Sequence, residues 1–148
     1  MRKNPWNHLI ILILVLTSII PGCSNDNSVS QYNKSAKEFY TIYFEILESI
    51  DSDNTLESLE KLQKDENIKK LDKLGILVKD IKANIPKGKE QKLSYIDKRY
   101  NNLIFIKESY PKFKSLSVDD KIKIDSILIS IGLDIGNWKD KDSTIIWY

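Results

Sequence analysis

Apolar residues return every three or four positions along most of this chain, and that period dictates helices. Tyr32, Ala36, Phe39, Tyr43, Ile46 and Ile50 fall on one face of a helix, and Tyr40, Phe44 and Leu47 widen it. The helix should end near Asp51, where Asp51-Ser52-Asp53-Asn54 reads as a turn. Asn54 followed three residues later by Glu57 has the form of a new helix start, with the Asn54 side-chain oxygen capping a free backbone N–H. A second helical region runs from Thr55 to about Asn84, carried by Leu56, Leu59 and Leu62 and then by Ile68, Leu71, Leu74, Val78, Ile81 and Ile85. Its apolar phase slips across Lys64-Asp65-Glu66-Asn67, which predicts a break or kink there, and Gly75 can loosen it further. Pro86-Lys87-Gly88 ends the region, because proline lacks an N–H and glycine permits the turn.

The same reasoning predicts a third helix from about Lys89 to Ser109, striped by Leu93, Ile96, Tyr100, Leu103 and Ile104 and closed by Tyr110-Pro111. Ser117-Val118-Asp119-Asp120 has the form of a capped start with acids at the positive end of the helix dipole. Val118, Ile122, Leu128, Ile131 and Ile135 can share a face of the fourth helix that follows. Ile127, Ile129, Ile131, Leu133 and Ile135 also alternate as a half-buried strand would; the capped start and the length favour helix. Four to five short-looped amphipathic helices imply an all-α fold, a small antiparallel bundle spanning residues 32 to 148. The expectation for Ile145-Ile146-Trp147-Tyr148, a wholly apolar chain end after the charged Lys139-Asp140-Lys141-Asp142, is that it docks on that bundle.

Ahead of the periodic region the pattern changes. Arg2 and Lys3 precede an apolar run of 12 residues from Leu9 to Ile20, followed by Pro21, Gly22 and Cys23, the only cysteine in the chain. A positive start, a short apolar core and a small residue at a cleavage point describe an export signal, and the run is shorter than the ~20 residues a spanning helix needs. This segment resembles the signal peptide of a bacterial lipoprotein, with Ile20-Pro21-Gly22-Cys23 in the place of the lipobox; Ile20 stands where leucine is usual, and Pro21 where a small residue is. The resemblance implies residues 1 to 22 as a signal peptide, a diacylglyceryl group on Cys23 and a cell-membrane address on the extracytoplasmic side. The polar stretch Ser24-Asn25-Asp26-Asn27-Ser28 cannot bury apolar area, so residues 23 to 31 read as a flexible tether between that anchor and the domain.

Removing the signal alters what the composition says. Arg2 and Lys3 leave with it and no acid does, so the 23 basic residues fall to 21 against 21 acidic ones. A chain without net charge has no global field to draw nucleic acid, and that partner class is set aside. His8, the only histidine, goes too, which removes histidine triads, Cys–His pairs and ordinary zinc sites from consideration. No glycine-rich nucleotide loop is present. Asp51-Ser52-Asp53 begins like a calcium loop, but Leu56 and Leu62 occupy the positions that need Gly and Glu. Neither a metal nor a cofactor is expected.

Carboxylates are plentiful, yet Glu45 with Glu48 reads as a solvated helix side and Asp119 with Asp120 as a helix N-terminus. The interleaved Lys61, Lys64, Lys69, Lys70 and Lys73 likewise read as a solvated face rather than a lipid-binding patch. Two aromatic groups carry what binding signal there is. Tyr32, Phe39, Tyr40, Tyr43 and Phe44 crowd one helix, and Trp138, Trp147 and Tyr148 sit near the end. Aromatics favour both cores and interfaces, so Tyr40, Phe44, Trp138, Trp147 and Tyr148 are the candidate partner-binding residues, with Cys23 the lipid-attachment site. The sequence therefore implies a membrane-anchored, non-enzymatic module that binds another envelope or extracellular protein. An immunity or phage-exclusion lipoprotein is one sharper form, and an envelope enzyme working through carboxylates alone is the alternative from another class.

Overall fold

A computed structural model describes residues 24 to 51 and 54 to 139. Cys23, the signal segment and the C-terminal residues 140 to 148, including Trp147 and Tyr148, lie outside the described residues. The described chain forms five helices and a short 3-10 stretch, with no strand among them. They are α1 (Ser24–Ile50), α2 (Thr55–Leu62), α3 (Asp65–Ala83), α4 (Glu90–Ser109), the 3-10 stretch Tyr110–Ser115, and α5 (Val118–Lys139). This is the all-α bundle that the periodicity implies.

The aromatic-rich α1 is the centre of the core. Tyr32, Ala36, Phe39, Tyr43, Ile46 and Ile50, the stripe read from the sequence, are all buried. α3 lies antiparallel against α1, and a ladder of polar pairs along its edge fixes the register: Glu45 with Lys70 at 3.3 Å, Glu38 with Lys73 at 2.5 Å, and Gln31 donating to Asp80 at 2.8 Å. Asn54 caps α2 as expected, its Oδ1 accepting from the Glu57 N–H at 3.1 Å. The phase slip becomes a break at Gln63 and Lys64, with Lys64 extended and α3 starting at Asp65. Buried Asn67 closes that break. Its Nδ2 donates to the Lys61 carbonyl at 2.9 Å, which the Lys64 N–H also reaches at 3.3 Å, and its Oδ1 accepts from the Ser49 hydroxyl at 2.9 Å, so one side chain joins the end of α2 to α1 across the break.

Gly88, at φ 86, makes the turn from α3 into α4. Ser117 then caps α5, accepting from the Asp120 N–H at 3.1 Å. The helical reading of residues 127 to 135 holds and the strand alternation does not, because a cap and an unbroken 3.6 period commit the backbone before the alternation can act.

Two expectations are corrected. Residues 24 to 31, read as a tether, belong to α1, which begins at Ser24. Once the Tyr32 face is fixed in the core, each further residue added toward the N-terminus gains a backbone hydrogen bond without a new nucleation cost. The second correction concerns which face of α5 packs. Ile124, Ile127, Ile131 and Ile135 are buried, whereas Val118 and Ile122, expected among them, are exposed. α5 is apolar on two sides, and periodicity alone does not choose between them.

Candidate functional site

The packing of α5 defines both candidate regions of the molecule. On its inner side Asp134 meets Arg99 of α4 and Tyr43 of α1. Arg99 donates to Asp134 through Nε and Nη2, each at 3.0 Å, and the Tyr43 hydroxyl donates to the same carboxylate at 2.9 Å. The Tyr40 and Tyr43 rings lie 5.9 and 6.0 Å from the guanidinium carbon, close enough for cation–π attraction. Burial would lower the Arg99 pKa, but the bonds to Asp134 outweigh it and hold the guanidinium above its ordinary range. Burial, reinforced by the Asp134 charge and bond, pushes the Tyr43 phenol well up; burial also takes Tyr40 up to about 12. Both phenols therefore stay protonated at neutral pH. A two-pronged ion pair with a phenol on its second oxygen is saturated, and it serves as a tie among three helices rather than as an acid or base.

The outer side of α5 is different. Val118, Ile122, Ile129 and Leu133 are 72, 57, 68 and 66% exposed. Their spacing of four, seven and four sets them on one side of the helix. Gly132 and Gly136 flank them, and a side chain at either position would meet only open space. Isolated exposed apolar residues are ordinary; four in line on one helix form a face that water does not favour.

The residues singled out in the sequence fall elsewhere. Tyr40 and Phe44 are buried in the α1 core, so the expectation that they meet a partner is corrected: their faces are taken up by neighbouring rings and by Arg99. Trp138, 39% exposed, stacks on Phe44 with centroids 4.1 Å apart and closes the core beside it. Among the proposed acids, Glu45 pairs with Lys70, and Asp120 accepts from the Ser117 hydroxyl that caps its helix.

A cleft between α3 and α4 is lined by Asp72, Lys79, Asp97 and Tyr100, and Lys82 holds Asp97 at 2.8 Å. Gly75 lies under Tyr100, where an added Cβ would stand 2.6 Å from the phenol oxygen. A second groove runs between Leu56 and Glu60 on one side and Tyr110–Ser115 on the other. Among the described residues, no three of His, Cys, Asp and Glu are grouped to hold a metal ion, and no helix is long and apolar enough to cross a membrane. The buried side-chain polar atom without a partner among them is the Tyr32 hydroxyl.

Sequence reading missed Arg99, Asp134 and the outer α5 face. Arg99 had a signal: apart from Arg2 it is the only arginine in the chain, and arginine is the residue suited to a buried forked pair. Comparison with family models, curated proteins and solved structures gives no match.

Proposed function

We propose that this chain is a lipoprotein held on the extracytoplasmic side of a membrane through a diacylglyceryl group on Cys23, and that its helical bundle binds another protein without catalysing a reaction. The observation that carries the binding role is the outer face of α5, where Val118, Ile122, Ile129 and Leu133 stay exposed over a filled core. Such a face suits an envelope or extracellular partner, since burying it removes apolar area from water at about 25 cal/mol per Å². The anchoring role draws on the order of charge, apolar run, Gly22 and Cys23. A diacylglyceryl thioether supplies two acyl chains, enough for stable attachment where one is marginal.

Two measurements test the reading. Cys23→Ser should abolish labelling by radioactive fatty acid; labelling that persists overturns the anchor. A photo-crosslinking residue at position 129 or 133 should give one discrete adduct in intact cells, and the same residue at Lys114 should not. Equal crosslinking from all three positions would remove the α5 face from consideration.

A further inference from the structure

The outer face of α5 has a symmetry of its own. Tyr43 of α1, Thr55 of α2 and Arg99 of α4 hold the helix, and Val118, Ile122, Ile129 and Leu133 stay exposed on its other side. Their spacing of four, seven and four reads the same from either end. The midpoint falls between Asp125 and Ser126. Ile122 and Ile129 stand about 5 Å to either side of it along the helix, and Val118 and Leu133 about 11 Å. A two-fold axis crossing α5 at that midpoint sets Val118 against Leu133 of a second copy, and Ile122 against its Ile129. An isologous interface requires this self-complementarity, and an unrelated partner does not.

The charges choose the direction of pairing. Asp119 and Asp120 stand in the first turn of α5. Parallel pairing through this face brings them beside their own counterparts. Antiparallel pairing moves like residues about 16–20 Å apart and sets each helix start beside the other helix's end, as the dipoles favour. The charged residue nearest the axis is Asp125, and Thr55 Oγ1 of its own chain donates to it at 2.9 Å. Lys121 lies one turn before it, so that flank of the paired helices carries two charges of each sign.

We propose that the outer face of α5 binds the same face of a second copy of this chain, antiparallel, about an axis between Asp125 and Ser126. The inference rests on the reading of this face as a binding surface and names its partner. Exposed by 57 to 72%, each of the four apolar residues shows roughly 100 Å² to water, so two copies bring about 800 Å² together. Asp125, Ser126 and Gly132, also exposed, take the buried total to about 1,000 Å², the threshold of a specific interface and the size of a transient one.

The test uses the full chain in cells as two differently tagged forms, one with Val118→Cys and the other with Leu133→Cys, oxidised with copper phenanthroline. The chain without an added cysteine sets the background from Cys23. Disulfides between the two forms should exceed those within either form at least about tenfold, because only the mixed pair brings Cα atoms within about 7 Å. Like positions stand about 22 Å apart across the axis. Ile122→Lys in both forms, a surface change, should lower the mixed disulfide about tenfold by setting an unpaired ammonium against Ile129 of the other copy. Disulfides within each form and none between them mean a parallel pair and overturn the axis. A photo-crosslinking residue at position 129 separates the remaining outcomes. An adduct with a different protein, without the mixed disulfide, overturns the second copy and leaves the face a binding surface. An adduct with residues 140 to 148 of the same chain makes this face a seat for the chain's own end and overturns both readings, as does the absence of any adduct or disulfide.

Discussion

Replacing Asp134 by alanine isolates what ties α5 to the bundle. The substitution removes two Arg99 bonds of 3.0 Å and one Tyr43 bond of 2.9 Å. Breaking a fully buried ion pair from one side costs about 3–5 kcal/mol, and an exposed one ~0.2–1 kcal/mol. The Arg99 and Asp134 side chains are 18% and 13% exposed, so water reaches the guanidinium in part. A cost of about 2 kcal/mol for the pair follows from that position between the limits. The Tyr43 hydroxyl, left inside without its acceptor, adds about 1 kcal/mol. Alanine returns about 0.5 kcal/mol in helix propensity, and removing an anion from the last turns of a helix acts in the same direction.

The net loss is thus about 2.5 kcal/mol, which for a domain of this size lowers the melting temperature by roughly 10 °C. Thermal denaturation followed by circular dichroism measures it. Pairing Asp134→Leu with Arg99→Met should recover most of the loss, because apolar replacement of both partners leaves no orphaned charge. A single variant melting within about 2 °C of the parent would refute the view that this cluster holds α5.

The two faces of α5 should separate cleanly. Ile131→Ala, in the core, should cost about 2–4 kcal/mol in urea unfolding, and Ile129→Ala, on the outer face, less than about 0.5. Alkali should weaken the fold through Tyr40 and Tyr43. Their folded pKa values stand above the ordinary 10.0, so above that pH the unfolded chain binds fewer protons than the folded one. Stability then falls as pH rises toward 12. Each phenol adds a slope of about 1.4 kcal/mol per pH unit, and urea midpoints of a Tyr40→Phe, Tyr43→Phe variant should decline less steeply. Asn54→Ala should cost about 1 kcal/mol through loss of the α2 cap, measured by the same unfolding.

What the sequence determined by itself was local. The α1 stripe from Tyr32 to Ile50, the Asn54 and Ser117 caps, the break before Asp65 and the turn at Gly88 all follow from interactions spanning a few residues, and all are legible from spacing and residue type. The tether reading failed because composition judged residues 24 to 31 alone, whereas a helix already held in the core extends through them. Only the tertiary structure could decide which side of α5 is buried. Val118 and Ile122 are as apolar as Ile124 and Ile127, and the choice belongs to the surfaces of the helices against which α5 packs. It alone brought Arg99 to Asp134 across 35 positions and Tyr43 across 91, contacts that no local pattern encodes. It also buried Tyr40 and Phe44 and left an isoleucine and leucine face outward, since aromatic and aliphatic residues serve core and interface equally until the packed neighbours exclude water from one of them.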